Sequence, residues 1–183
     1  MSQQTAPFPP ARGRQKGYAS AAVDAFLASA RAAFDDESRT IRAADVRTVA
    51  FPLVTRGYDV AAVDAALGRL EDAFAARERE RALSQRGARA WVGASRGLAQ
   101  EVLERLSRPA RHRFRRVGAL RFGYRIDEVD LVADRVARYL EDGEPLSADQ
   151  VRTVAFRMQR GGYSEAQVDA VLDAVVDIIL AVG

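Results

Sequence analysis

The sequence predicts an all-α protein of two lobes joined by a helical spacer, and three observations support this class. Apolar residues recur at helical spacing after each of several Gly-Tyr pairs. Signals for strands are nearly absent. The hexamer VRTVAF occurs at residues 46–51 and again at 151–156, which indicates an internal duplication. We therefore expect short helix–turn–long helix units in tandem.

A Gly-Tyr pair followed by Val-Asp marks four copies of this unit. Their tyrosines are, in order, Tyr18, Tyr58, Tyr124 and Tyr163, and Val-Asp follows each at five and six residues. The second and fourth copies are strong, because each also has the hexamer before it and a leucine nine residues after the tyrosine. The strong copies lie 105 residues apart and the weak ones 106, so we interpret the chain as a duplicated pair. The structural motif of the strong copies comprises Phe51, Gly57, Tyr58, Val63, Asp64 and Leu67, and Phe156, Gly162, Tyr163, Val168, Asp169 and Leu172.

The copies also predict the domain boundaries. We expect a flexible N-terminal tail over residues 1–14, a first lobe over 15–82, a basic helical spacer over 83–108 and a second lobe over 109–183. A regular helical solenoid is not favoured, because the steps between successive tyrosines are 40, 66 and 39 residues.

Local signals indicate how the strong copies fold. The hexamers predict short helices, with Phe51 and Phe156 as buried anchors. Asp59 is expected to cap the long helix of the second copy, and Ser164 with Gln167 to form a capping box in the fourth. The glycine before each tyrosine suits a left-handed or tight turn. The tyrosine is then expected to pack at the root of the helix.

An aspartate lies six residues after each tyrosine, one turn inside the helix. We expect this aspartate to be structural, either by accepting hydrogen bonds from the turn backbone or by pairing with Arg47 or Arg152. A catalytic role for four dispersed aspartates is not favoured.

Composition excludes several kinds of site. The chain has no cysteine and one histidine, His112, which excludes disulfides, iron–sulfur clusters, zinc fingers and thiol nucleophiles. A nucleophile-elbow match at residues 93–97 lies inside a helical pattern, so we expect its glycines to admit a neighbouring helix instead. We therefore expect no enzyme, no cofactor and no metal. The chain also lacks a long apolar run and a signal-peptide core, which predicts a cytoplasmic protein.

Charge is unevenly distributed along the chain. The basic residues are 27 Arg and 1 Lys. Residues 77–121 have 13 basic and 4 acidic groups, whereas residues 122–183 have 6 and 12. The basic segment could meet an anionic partner such as phospholipid or nucleic acid, or it could pair with the acidic C-terminal third. Its run at residues 111–116, which includes Phe114, could contact phosphates or a membrane interface, or form a solvated or salt-bridged face.

The second copy resembles the N-terminal domain of DivIVA-family proteins, which are bacterial scaffolds of cell division and polar growth. The resemblance comprises the string from Ile41 to Phe51, the RGYD turn at residues 56–59, and the Val-Asp and Leu that follow. The fourth copy is also similar to this pattern, and the first and third are similar from the Gly-Tyr onward. Arginine-rich chains with several copies look like actinobacterial DivIVA-domain proteins.

The resemblance implies a non-enzymatic role. In the family, the domain pairs with another copy, and an exposed aromatic beside a basic residue at the loop tip enters the membrane. Here the residue before Gly-Tyr is basic in the first two copies, and the third copy has a phenylalanine beside an arginine in reversed order. The candidate membrane or partner contacts are Lys16, Arg56, Arg121, Phe122, Arg113, Phe114, Arg115 and Arg116. Unlike the family scaffolds, the chain has no sustained heptad pattern.

These patterns predict an adaptor near the septum or cell pole that binds protein partners and an anionic membrane surface. The alternative is a small regulatory or nucleic-acid-binding protein that uses residues 77–121. If the second and fourth copies pair within one chain and mimic the family dimer, a fragment of residues 1–82 is expected to dimerise or aggregate. A monomer with intramolecular domain pairing and a homodimer both stay open.

Overall fold

The computed structural model describes residues 7–36 and 41–182, and this part of the chain is mostly helical, which confirms the predicted all-α class. No helix among the described residues combines the length and apolar character needed to cross a membrane. The elements in chain order are β1 (Lys16–Tyr18), α1 (Ser20–Asp35), α2 (Ala43–Thr48), β2 (Leu53–Thr55), α3 (Val60–Arg86), α4 (Ala88–Leu106), β3 (Phe122–Tyr124), α5 (Ile126–Asp142), α6 (Ala148–Arg152), β4 (Met158–Arg160) and α7 (Glu165–Val182).

The chain divides into two units, Met1–Glu80 and Arg81–Gly183, called here the N-terminal and C-terminal units. Both units contain the order of strand, long helix, short helix, strand and long helix, which α4 precedes in the C-terminal unit, and the two strands of each unit pair antiparallel. The boundary lies inside α3. Helix α4, which the sequence predicts as a spacer, packs against α5 and α7 and so belongs to the C-terminal unit.

The four short strands were not expected from the sequence. β1 pairs with β2, with Lys16 opposite Thr55, and β3 pairs with β4, with Phe122 opposite Arg160. Each strand has only three residues. A segment this short cannot produce a recognisable alternation of apolar and polar residues, which is the signal by which strands are predicted.

The prediction of a flexible N-terminal tail over residues 1–14 is wrong for the part of it that the structure describes, which starts at residue 7. The ring of Phe8 packs edge-on against Tyr58 with centroids 5.3 Å apart. The carbonyl of Pro9 accepts a hydrogen bond from the N–H of Asp59 at 2.8 Å, and the N–H of Ala11 donates to Gly57 at 2.8 Å. Residues 1–6 lie outside the described part. The segment from Phe8 to Ala11 is therefore an extended stretch that pairs antiparallel with the Gly57-Tyr58 turn.

The core of the C-terminal unit is one continuous cluster, whereas the N-terminal unit has two smaller ones. Helix α4 contributes Val102 and Leu106 to the larger cluster, which explains why it packs into the unit instead of linking two lobes. The other fully buried members include Phe114, Val129, Val136, Tyr163, Val168, Val175 and Val176. The clusters of the N-terminal unit consist of Ala30, Ala43, Val46 and Phe74, and of Val23, Tyr58 and Val63.

Helix ends follow the local sequence in several places. The side chain of Asp59 accepts a bond from the N–H of Ala62 at 3.0 Å, which confirms its predicted capping role. Helix α5 ends at Gly143, which has the left-handed φ of +71° that favours glycine. The predicted capping box of Ser164 and Gln167 is wrong. The N–H of Ser164 donates to the carbonyl of Arg115, and the side chain of Gln167 accepts from the N–H of Arg115. The two residues thus bond to Arg115 and not to each other as a capping box requires.

Candidate interaction site

The Gly-Tyr turns pair within each unit, weak copy with strong copy. In the N-terminal unit the N–H of Tyr18 donates to Tyr58 at 3.0 Å, and the N–H of Tyr58 donates back at 2.8 Å. Tyr124 and Tyr163 exchange the same two bonds at 3.0 and 2.9 Å in the C-terminal unit. The expectation that the second and fourth copies pair is therefore wrong for the Gly-Tyr turns, because each strong turn is already bonded to the weak turn of its own unit.

Close backbone approach explains the glycines of these turns. A Cβ on Gly17 would lie 2.2 Å from the carbonyl oxygen of Tyr58, and one on Gly57 would lie 2.4 Å from that of Tyr18. The same holds for Gly123 and Gly162, at 2.3 and 2.4 Å from the opposing tyrosine carbonyls. None of these glycines has a positive φ. Glycine is therefore required at these positions by the close backbone approach, and not by the left-handed turn that the sequence suggested.

The tyrosine and aspartate of the repeated motif bond to each other across the two copies of a unit. The hydroxyl of Tyr58 donates to Asp24 at 3.2 Å, and that of Tyr163 donates to Asp130 at 3.1 Å. The reverse pairs are Tyr18 with Asp64 and Tyr124 with Asp169. This corrects the roles expected for the aspartates, since Arg47 pairs with Glu71 at 2.7 Å and Arg152 with Asp149 at 3.0 Å.

The environment of the four tyrosines favours their neutral form. Burial, together with the nearby Asp169, raises the pKa of Tyr124 to about 12, and burial with Asp130 raises the pKa of Tyr163 to about 12. Burial also raises the pKa of the Asp64 and Asp169 carboxyls, although the bond from the tyrosine partly offsets this effect. The tyrosines therefore act as hydrogen-bond donors at neutral pH, which is a structural role.

One exposed face of β3 and β4 combines apolar and cationic side chains. Leu120, Phe122 and Met158 are 86%, 55% and 45% exposed. The guanidinium of Arg160 lies 5.6 Å from the centre of the Phe122 ring. Arg121 lies at the same end, because its carbonyl accepts a bond from Gly161 in the loop after β4. We call this surface the C-terminal tip, and it consists of Leu120, Arg121, Phe122, Met158 and Arg160.

The equivalent end of the N-terminal unit is more strongly cationic. Arg12, Arg14, Lys16 and Arg56 are all exposed, and we call them the N-terminal tip. Of these, only Lys16 and Arg56 were singled out from the sequence. The sequence did not indicate Arg12 and Arg14, nor Leu120, Met158 and Arg160 of the other unit. All five lie in turns or on short strands, outside the helices.

Two of the predicted contact residues are buried, and the prediction is wrong for them. Phe114 is 5% exposed and packs edge-on against Tyr163, as Phe8 does against the equivalent tyrosine of the other unit. Arg113 is 8% exposed, and its guanidinium donates to the carbonyl of Asp130 at 2.8 Å and to the side chain of Asp134. These two residues of the run at residues 111–116 therefore stabilise the fold instead of facing a partner.

The other predicted contacts are exposed. Lys16, Arg56, Arg121 and Phe122 lie on the two tips. Arg115 and Arg116 are exposed beside the C-terminal tip, where the guanidinium of Arg116 donates to the carbonyl of Gly161 at 3.0 Å.

The structure places the nucleophile-elbow match within α4, away from any strand. Ser95 lies in the middle of this helix, and an elbow requires a strand, a sharp turn and a helix. A Cβ on Gly93 or Gly97 would meet nothing within 4 Å, so the neighbouring helix that we expected at these glycines is not present among the described residues. Within the described part of the chain, no group of three or more histidine or acidic side chains could hold a metal ion.

No family model matches the chain, and neither the curated proteins nor the solved structures include a match to it.

Proposed function

We propose that this chain is a non-enzymatic adaptor of the DivIVA-like type, acting in bacterial cell division or polar growth through contacts with protein partners and an anionic membrane surface. The observation that supports the proposal most directly is the C-terminal tip, where three exposed apolar side chains lie among arginines. The resemblance to the DivIVA family implies an exposed aromatic beside a basic residue at the loop tip, and Phe122 with Arg121 provides this pair in reversed order.

The strand register supports a single contact surface. Phe122 is directly opposite Arg160, and Tyr124 is opposite Met158, so all four side chains project from the same face of the strand pair. Tyr124 turns towards Phe156, with ring centroids 5.0 Å apart, and leaves Phe122 and Met158 as the exposed members. The tip therefore presents apolar groups and cations in the same direction.

The energies of such a surface suit reversible membrane binding. Full burial of one large apolar side chain stabilises by roughly 1.5–3 kcal/mol. A basic residue near an anionic bilayer surface contributes about 1 kcal/mol. Phe122 and Met158 are already about half-buried in the fold, so a membrane contact can bury only part of each, and the apolar groups and the arginines have to act together. Binding should then depend on both the apolar side chains and the anionic lipid.

Co-sedimentation with liposomes tests this dependence. The full-length protein should bind vesicles that contain phosphatidylglycerol and should not bind vesicles of phosphatidylcholine alone. The double variant Leu120→Ala/Phe122→Ala should lose about tenfold in binding. Leu131→Ala is the matched control, because Leu131 is 70% exposed on α5 and lies outside the tip. Equal binding by the double variant and the control would remove the membrane contact from the proposal.

Localisation tests the cellular role. A fluorescent fusion in the native cell should form foci at septa or poles, and the double variant at the C-terminal tip should weaken them. A nucleoid pattern would instead favour the competing function, nucleic-acid binding by residues 77–121. That function predicts binding to DNA that falls steeply as salt concentration rises. It has fewer charges available than the sequence suggests, since Arg113 is buried.

A further inference from the structure

We infer that the N-terminal tip binds an acidic, extended polypeptide segment of a protein partner. This inference rests on the proposed adaptor function and deepens it, because it assigns the protein contact to one unit and one class of ligand. The C-terminal tip, where the membrane contact is proposed, does not take part.

The backbone brings the four cations of the N-terminal tip together around Arg56. Lys16 is paired with Thr55, the residue directly before Arg56. On the other side, the N–H of Ala11 donates to Gly57, the residue directly after it, at 2.8 Å. Between these two points the chain makes a tight turn, in which the N–H of Gln15 donates to the carbonyl of Arg12 at 3.1 Å. Arg12, Arg14 and Lys16 therefore belong to a loop whose two ends lie beside Arg56.

No carboxylate of the described residues neutralises these cations. None of Arg12, Arg14, Lys16 and Arg56 forms an ion pair or a side-chain hydrogen bond with any described residue. The nearest acidic residue in sequence, Asp59, uses its carboxylate to cap α3. The cluster is therefore free to bind an external anion, in contrast to the many arginines of the chain that pair internally.

The conformation of Arg56 supports a functional reason for its charge. Arg56 has a φ of +59°, in the left-handed region that strains any residue with a side chain. The equivalent residue of the C-terminal unit is Gly161, which adopts a φ of +64° without that strain. Arginine thus occupies a position where glycine would fold more easily, and strain of this kind is commonly found at binding sites.

The neighbouring side chains favour an acidic polypeptide over a bilayer or a nucleic acid. Leu53 lies on the strand that leads to Arg56, on the same face as Lys16, and is 53% exposed, so an apolar residue of a ligand has a surface beside the cations. The aromatic residues nearby, Phe8, Tyr18 and Tyr58, pack into the core and are not available to stack on bases or enter a bilayer. Guanidinium groups bind carboxylates in a bidentate geometry.

Fluorescence anisotropy with a labelled synthetic peptide tests the inference on the full-length protein. The probe is a short peptide of alternating Glu and Leu, and the matched probe alternates Lys and Leu. The variant Arg14→Gln/Lys16→Gln/Arg56→Gly removes three charges, and its glycine copies the residue at the equivalent turn of the C-terminal unit. We expect the wild type to bind only the acidic peptide and the variant to bind it about tenfold more weakly.

The matched control variant removes the same number of charges elsewhere. Arg86→Gln/Arg89→Gln/Arg96→Gln changes three exposed arginines around the start of α4. This variant should keep wild-type affinity for the acidic peptide. An equal loss in both variants would show that only net charge matters and would overturn the inference, as would binding of the Lys-Leu peptide or no binding of the acidic peptide at all.

Two further measurements identify other ligands and separate this inference from the proposed function. If the tip variant lost binding to anionic vesicles or to DNA while its affinity for the acidic peptide was unchanged, the partner class would be wrong. If the wild type bound vesicles through Phe122 but never bound the acidic peptide, the inference would fail and the membrane adaptor would stand. Thermal melting of the tip variant should equal or exceed that of the wild type, because the substituted side chains form no ion pair with any described residue and glycine relieves the strain at position 56.

Discussion

The hydroxyl of Tyr163 donates to the carboxylate of Asp130 at 3.1 Å, and the two residues belong to different copies of the repeated motif. The same exchange joins Tyr58 to Asp24 in the N-terminal unit. Each unit is thus closed by bonds in which the tyrosine of one copy needs the aspartate of the other. This reciprocity explains why the tyrosine and the aspartate recur together in all four copies.

Removing one hydroxyl should weaken the closure of a unit. Tyr163→Phe keeps the buried ring and removes the donor to Asp130, so we expect the free energy of unfolding to fall by about 1–2 kcal/mol. Urea denaturation followed by circular dichroism measures this change. Tyr139→Phe is the control, because the Tyr139 hydroxyl has no hydrogen-bond partner among the described residues, and it should change stability by no more than about 0.5 kcal/mol. Equal losses would contradict a structural role for the exchanged bond.

Glycine substitutions should separate close approach from helix propensity. In Gly123→Ala the new Cβ would meet the carbonyl oxygen of Tyr163 at 2.3 Å, so the paired turns have to separate. We expect a loss of at least about 3 kcal/mol, measured by chemical denaturation. Gly97→Ala adds a Cβ that meets nothing within 4 Å inside α4, and should raise stability by up to about 1 kcal/mol. A neutral result for Gly123→Ala would contradict the tight backbone pairing.

Two carboxyls should give opposite pH dependences of stability. Burial raises the pKa of Asp169 in the folded chain. Its favourable contribution is therefore complete below the unfolded pKa of about 3.9 and is lost as the pH rises through the folded pKa. Asp169→Asn keeps an acceptor for Tyr124 without the charge, so its melting temperature should decline less between acid and neutral pH than that of the wild type.

Glu128 provides the comparison of opposite sign. The bond from the backbone N–H of Arg157 lowers the pKa of the Glu128 carboxyl, and the Arg157 side chain adds to this effect. The contribution of Glu128 is therefore present above the unfolded pKa of about 4.3 and is lost as the pH falls through the folded pKa. Glu128→Gln should remove part of the acid-side loss of stability. Melting curves of both variants across the acid range check the two signs, and the same trend in both would contradict them.

The N-terminal unit should be a folded monomer when isolated. Its two copies satisfy each other's Gly-Tyr backbone bonds, so a fragment of residues 1–86, which keeps α3 whole, has no unpaired turn to offer to a second fragment. Light scattering after size-exclusion chromatography should give the monomer mass, with a helical circular dichroism spectrum. A stable dimer would revive the expectation that this half of the chain needs a partner copy.

Local signals in the sequence predicted much of the helical structure but less of the candidate site. Apolar spacing indicated the helices after each Gly-Tyr, and Asp59 was recognisable as a cap because capping depends on residues three apart in the chain. Phe114 was misread as a membrane contact, since its burial depends on Tyr163, which lies 49 residues later in the sequence. The N-terminal tip was only half recognised, because Arg12 and Arg14 lie in a turn that has no helical periodicity.

The sequence by itself determined the all-α class and the four Gly-Tyr copies with their fixed offsets. These properties depend on contacts between near neighbours and on repetition, both of which can be read along one chain. Only the tertiary structure decided which copies pair, which bond each aspartate accepts, and which arginines are buried. These outcomes depend on where distant segments meet, as Gly123 meets Tyr163, and a hydrogen bond or a buried charge exists only once both partners have been brought together.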